Sequence, residues 1–144
     1  GSTLMNHLVI LDKRAGELEK ILSGVKCMLV KEIQPPQAAA APVNPGDSLY
    51  FLRDRQDRAL RVKASVVRVF TVINAPDEHL THTLKEFQPR LQLTEDQYNH
   101  WSTKKLVLLV EFTGAQKMDA IHVAPDKVTE SPNWIPFEQF SHIT

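Results

Sequence analysis

The chain has 144 residues, 42% of them hydrophobic and 24% charged, a size and balance suited to one globular domain with a core of its own. Seventeen Lys and Arg offset seventeen Asp and Glu, so net charge points to no partner, and a nucleic-acid reading must rest on local patches. The single cysteine, Cys27, excludes an internal disulfide and a cysteine-rich zinc site. No apolar run reaches the ~18 residues that cross a bilayer. No secretory leader is evident, Gly1-Ser2 reads as a cloning remnant ahead of a native Met5, and the expected compartment is a reducing cytoplasm. One domain over residues 5–144 is expected.

In chain order, His7 to Leu11 is an apolar run suited to a buried strand. A helix is expected next, with Asp12 as N-cap and Ala15, Leu18, Ile21 and Leu22 at helical spacing; Gly24 stands where a left-handed residue would end it. Lys26 to Ile33 reads as a strand in which Cys27 is a small core hydrophobe. Residues 34–45, with four prolines and a run of alanines, read as a mobile surface loop.

Asn44-Pro45-Gly46-Asp47 signals a turn into a strand over Ser48 to Arg53. A polar loop, Arg53 to Arg58, then joins it to a strand over Leu60 to Val72, completing a hairpin. Alternation holds from Leu60 to Val66 and breaks at Val66-Val67, which predicts a bulge or a segment covered on both faces. Pro76 to Phe87 is helical in pattern. Thr94 and Gln97 form a capping box for the next helix, with Leu93 and Tyr98 as its hydrophobic staple. Tyr98 and Trp101 share a face and read as a packing stripe. Lys105 to Thr113 is a long buried strand, with Ala120 to Val123 expected to pair with it, and Trp134 to Phe137 a final packed or edge segment. Strands joined by hairpins, with helices inserted early and late, predict an α+β fold: a small, mainly antiparallel sheet or barrel flanked by helices.

No phosphate-binding glycine loop, dinucleotide fingerprint, nucleophile elbow, CxxC or HExxH is present. Glu78, His79 and His82 could share a helix face, but a metal needs three or four convergent ligands and no further one can be placed, so no metal or cofactor is expected. The hairpin carries Arg53, Arg55, Arg58, Arg61, Lys63 and Arg68 against two acids. This could be a phosphate-tracking face, or an ordinary charged edge that blocks aggregation. In Gly24-Val25-Lys26 the glycine turns a helix into a strand and sets the next side chains at the sheet rim. Lys26 and Lys31 are five apart, so in a regular strand only one would face a given cavity. A lysine against an apolar wall can hold a phosphate or act as a base, although spacing alone favours a surface lysine.

Gly24-Val25-Lys26 with Lys31 five residues after the lysine resembles the ASCH signature. Gly46-Asp47 ahead of Ser48 to Phe51, and Leu93-Thr94 through Gln97, Tyr98 and Trp101 to the Lys105–Phe112 strand, are similar to the same family in the same order. The resemblance implies a PUA-like β-barrel with flanking helices and a cleft beside the glycine-x-lysine strand for RNA or a modified nucleobase or nucleoside. It also implies that some members are small amidohydrolases deacylating acetylated cytidine through a lysine, a threonine and a glutamate, while others bind or cleave RNA. Lys26 matches the lysine; Leu29 stands in the threonine's place, Lys31 in that of the commoner arginine, and Glu86 is the candidate glutamate.

The resulting expectation is an RNA- or nucleoside-binding cleft near Lys26, with Lys31, Tyr50, Arg61 and Lys63 as further ligand contacts. One alternative is an amidohydrolase acting on an acylated nucleoside, with Lys26 and Glu86 as its base–acid pair. Another is a protein-interaction module, which exposed Trp134 and Phe137 would favour.

Overall fold

A computed structural model describes residues 4–33, 43–74 and 79–144. Among these residues, six strands and five α-helices follow in the order β1 Asn6–Ile10, α1 Glu17–Leu22, β2 Met28–Glu32, β3 Ser48–Leu52, β4 Ala59–Ile73, α2 His79–Glu86, α3 Gln88–Leu91, α4 Glu95–Ser102, β5 Leu106–His122, α5 Pro125–Val128 and β6 Trp134–Phe137. The strands form one sheet in the order β2-β5-β4-β3-β1-β6. Among the described residues, β1 pairs with β3 in parallel and the other four pairings are antiparallel. The sheet curls into a half-barrel with helices packed on both of its faces.

Strand alternation divides the apolar residues among three cores. The concave face holds Val9, Leu29, Leu49, Phe51, Val62, Leu108 and Val110, closed by Leu18 and Ile21 of α1. On the convex side Met28, Val30, Val107 and Leu109 pack under Leu80, Leu84 and Leu91. At the other end Leu8, Ile10, Leu52 and Leu60 pack under Val128, Phe137 and Ile143. Covering both faces explains why β1, β2 and β5 read as continuous apolar runs.

Several local signals form as expected. Gly24 adopts φ 88°, and its N–H donates to Ile21 O. The Thr94–Gln97 capping box is complete in both directions, and Leu93 and Tyr98 both join the convex core. The β4–β5 ladder shifts register between Val66 and Arg68, where the alternation broke.

Other expectations are corrected. Asp12 does not cap α1, because its carboxylate accepts the Arg14 N–H at 2.9 Å in a local turn; the helix starts behind Gly16 at φ 65°. Ala120 to Val123 does not return onto 105–113. Instead β5 runs unbroken to His122 and stays paired with β4, bending at Gly114 (φ 69°) and at three register shifts. Val43, assigned to the mobile loop, is 1% exposed in the concave core, while 34–42 lies outside the described residues. Cys27 is half-buried and precedes β2. The helix expected from Pro76 begins at His79 among the described residues, and Glu78 lies outside them. Trp134 and Phe137 are 9% and 3% exposed, so they form no surface apolar patch: β6 pairs with β1 and buries both.

Candidate functional site

The sheet does not close, and the gap is a cleft of about 1440 Å³ lined by β1, β2, β6, α1 and α4 and by the loops after β3 and before β6. The Gly24 turn delivers Lys26 to its floor. Lys26 is 1% exposed; its Nζ donates to Leu91 O and lies 3.5 Å from Glu17 Oε2. Burial pulls the Lys26 ammonium below the usual lysine range, against the opposing pull of Glu17. Glu17 is itself held, since its Oε1 accepts the Asp12 N–H at 2.8 Å.

Lys31 also lines the cleft, with Nζ 5.8 Å from the Trp134 ring centroid. Burial lowers its pKa too, with Glu32 acting the other way. Both lysines therefore reach one cavity. The alternation rule does not apply across them because β2 starts only at Met28, after the turn that carries Lys26.

Trp134 Nε1 donates to His7 Nδ1 at 3.0 Å, so the other ring nitrogen carries the proton and Nε2–H donates to Asp47 Oδ2 at 2.8 Å. Desolvation lowers the His7 pKa, although Asp47 raises it, so His7 is neutral at neutral pH. Asp47 also accepts the backbone N–H groups of Met5 and Asn44. On the facing wall, α4 contributes Trp101, and Lys104 beyond it pairs with Glu32 at 3.4 Å. Arg55 binds the 128–133 segment through Val128 O, Ser131 O and Asn133 Oδ1, which steadies the approach to Trp134.

Of the residues expected at the site, Lys26 and Lys31 meet in the cleft and four lie elsewhere. Glu86 is exposed on α2 and is not among the lining residues; the carboxylate beside Lys26 is Glu17. Tyr50 packs against Phe137 and Phe140 with centroids 5.9 and 5.1 Å away, in the convex core. Arg61 and Lys63 are exposed on β4 away from the cleft, and Arg61 pairs with Asp57 at 3.2 Å. Other hairpin cations are engaged as well: Arg53 with Glu19, and Arg68 with Glu111.

His7, Glu17, Trp101 and Trp134 are the cleft residues that sequence reasoning did not assign to a ligand site, and Asp47 stands buried behind His7. Gly46-Asp47 carried part of the resemblance, but the other partners lie in distant elements and share no spacing signal. Among the described residues, no group of three His, Cys, Asp or Glu side chains could hold a metal, and no helix is long and apolar enough to cross a membrane.

No protein-family model and no curated protein matches the chain in sequence. Solved structures match it in fold. ASCH from Zymomonas mobilis superposes with TM-score 0.66 at 10% identity, covering 95% of this chain and 91% of that one. Two point mutants of ZmASCH from the same organism give 0.67 and 0.66 at 12% identity, covering 95% of this chain and 91% and 93% of theirs. With that coverage, the curled six-stranded sheet and its helices are the fold of an ASCH domain.

Proposed function

We propose that the cleft binds single-stranded RNA or a nucleoside-like ligand. The observation that carries this reading is Lys31 beside the Trp134 ring at the mouth of a concave site, with Lys26 buried below it. Lys31 donates only a long bond to Glu32 O, and no carboxylate pairs with it among the described residues. Its charge is therefore available to a phosphate. Trp101, half-exposed on the opposite wall, offers a ring face on which a base can stack. The resemblance to ASCH proteins supports the same ligand class.

Thermal-shift and calorimetric titration with nucleosides and short single-stranded RNAs tests the reading. Binding raises the apparent stability, and RNA affinity falls as salt rises. Negligible binding at every salt concentration rejects it.

The Lys26–Glu17 pair favours a second reading, hydrolysis of an acylated nucleoside with this pair handling the proton of an attacking water. It replaces the expected Lys26–Glu86 pair, because Glu17 is the carboxylate in reach of the ammonium. Release of the free acid from an N-acylated cytidine, lost in Glu17→Gln, supports it; no release by the wild type removes it.

A further inference from the structure

Among the described residues, β4 is flanked by strands on both sides for only part of its length. β3 flanks it from Val62 to Ser65, and the preceding turn continues this edge to Val66, whose N–H donates to Asp47 O and whose carbonyl accepts Gly46 N–H, both at 2.9 Å. From Val67 to Ile73 β4 pairs with β5 alone among the described residues. Asn74 N donates to Lys105 O, next to the Ile73↔Leu106 pair. Hydrogen-bonded and non-bonded pairs alternate in an antiparallel ladder. Hence Arg68, Phe70 and Val72 direct their peptide groups to β5, while Val69, Thr71 and Ile73 direct theirs outward. No described residue hydrogen-bonds to these outward groups.

An open edge is ordinarily defended by charge, Pro, a bulge or a short length. Among the described residues this one has a bulge and a charge only at its start, where Arg68 pairs with Glu111, and neither Lys nor Pro from Val69 to Ile73. Two of its side chains are among the exposed large hydrophobics of the chain, Val67 at 41% and Ile73 at 68%. The segment is self-complementary. Antiparallel pairing of two copies about Phe70 sets Val67 opposite Ile73 twice, Val69 opposite Thr71, and Arg68 opposite Val72. Each exposed hydrophobe then covers its counterpart, the outward groups of Val69 and Thr71 bond each other, and no charge faces a like charge.

We propose that residues 67–73 of β4 are a self-association edge, through which two copies pair antiparallel and continue one sheet into the other. A ladder this short lies below the ~1,200 Å² of stable interfaces, so the dimer is weak and concentration-dependent.

Sedimentation velocity from about 10 μM to about 1 mM tests it on the wild type and on Thr71→Pro and Thr71→Lys. The Thr71 N–H points away from β5, so proline there leaves the internal ladder intact, and lysine adds a charge near the centre of the edge without touching the backbone. The expected result is a wild-type dimer whose dissociation constant rises at least tenfold in both variants, with unchanged circular dichroism. If proline alone disturbs the fold, the lysine variant decides. A wild type that is monomeric throughout, or a dimer that withstands Thr71→Lys, overturns the proposal; the first result leaves the edge to a strand of another protein.

Discussion

Lys31 and Trp134 stand 5.8 Å apart, nitrogen to ring centroid, although they belong to β2 and β6, the outermost strands of the sheet. The curl brings the two edges together on the concave side, and the cleft is the remaining gap. Its chemistry is therefore assembled from opposite ends of one sheet. The basic hairpin, by contrast, spends much of its charge inside the fold: Arg53 on Glu19, Arg55 on the 128–133 segment, Arg61 on Asp57 and Arg68 on Glu111.

Charge truncations separate these two surfaces. Lys31→Ala is expected to weaken RNA binding and to reduce the slope of log affinity against log salt by about 0.7, one phosphate contact to a single strand. Arg61→Ala and Lys63→Ala should leave affinity and slope unchanged. Fluorescence anisotropy across a salt series measures all three, and equal losses would place the ligand on the hairpin instead.

The Lys26–Glu17 pair predicts unequal stability effects. Glu17→Gln leaves a buried ammonium without its counter-charge and should cost about 3 kcal/mol. Lys26→Met also unpairs Glu17, but that carboxylate keeps the Asp12 N–H and can take up a proton, so this variant should cost less. The pH dependence follows from the lowered Lys26 pKa. Between that folded value and the ordinary 10.5, the unfolded chain binds more protons, so the wild type gains stability relative to Lys26→Met as pH rises through this window. Denaturant unfolding of the variants at several pH values checks both points.

His7 is expected to show the Nε2–H tautomer in imidazole ¹⁵N spectra and to titrate below its ordinary value of 6.5. Because the folded pKa is lowered, its contribution to stability is complete above 6.5 and declines as pH falls from there toward the folded value. Removing the ring by His7→Ala leaves Asp47 and Trp134 Nε1 without their partner and should cost about 2–4 kcal/mol. A His7 that titrates above 6.5 would contradict the buried neutral ring.

Arg55→Ala should release the 128–133 segment. The expected signature is faster amide exchange at those residues, with about 1–2 kcal/mol lost in global stability. Ligand affinity should fall as well, because the segment leads into Trp134.

Much of the local structure was legible in the sequence because its causes are local. Thr94 and Gln97 satisfy each other's backbone groups within one turn, Gly24 tolerates a conformation that side chains resist, and the loss of alternation at Val66-Val67 marks a bulge. Asp12 misled because a turn competed for its carboxylate. The second half of β5 was misplaced because a bulged strand keeps pairing where simple alternation predicts an end.

The cleft was legible only in part. From the order of residues alone follow a helical turn into a strand with Lys26 at its start, and successive motifs that resemble one fold. Long-range packing is what buries Lys26, brings Glu17 rather than Glu86 to it, places Tyr50 in a core and turns Trp134 toward Lys31. Backbone conformation depends on neighbours a few residues away, whereas the site depends on how far a six-stranded sheet curls before its edges meet.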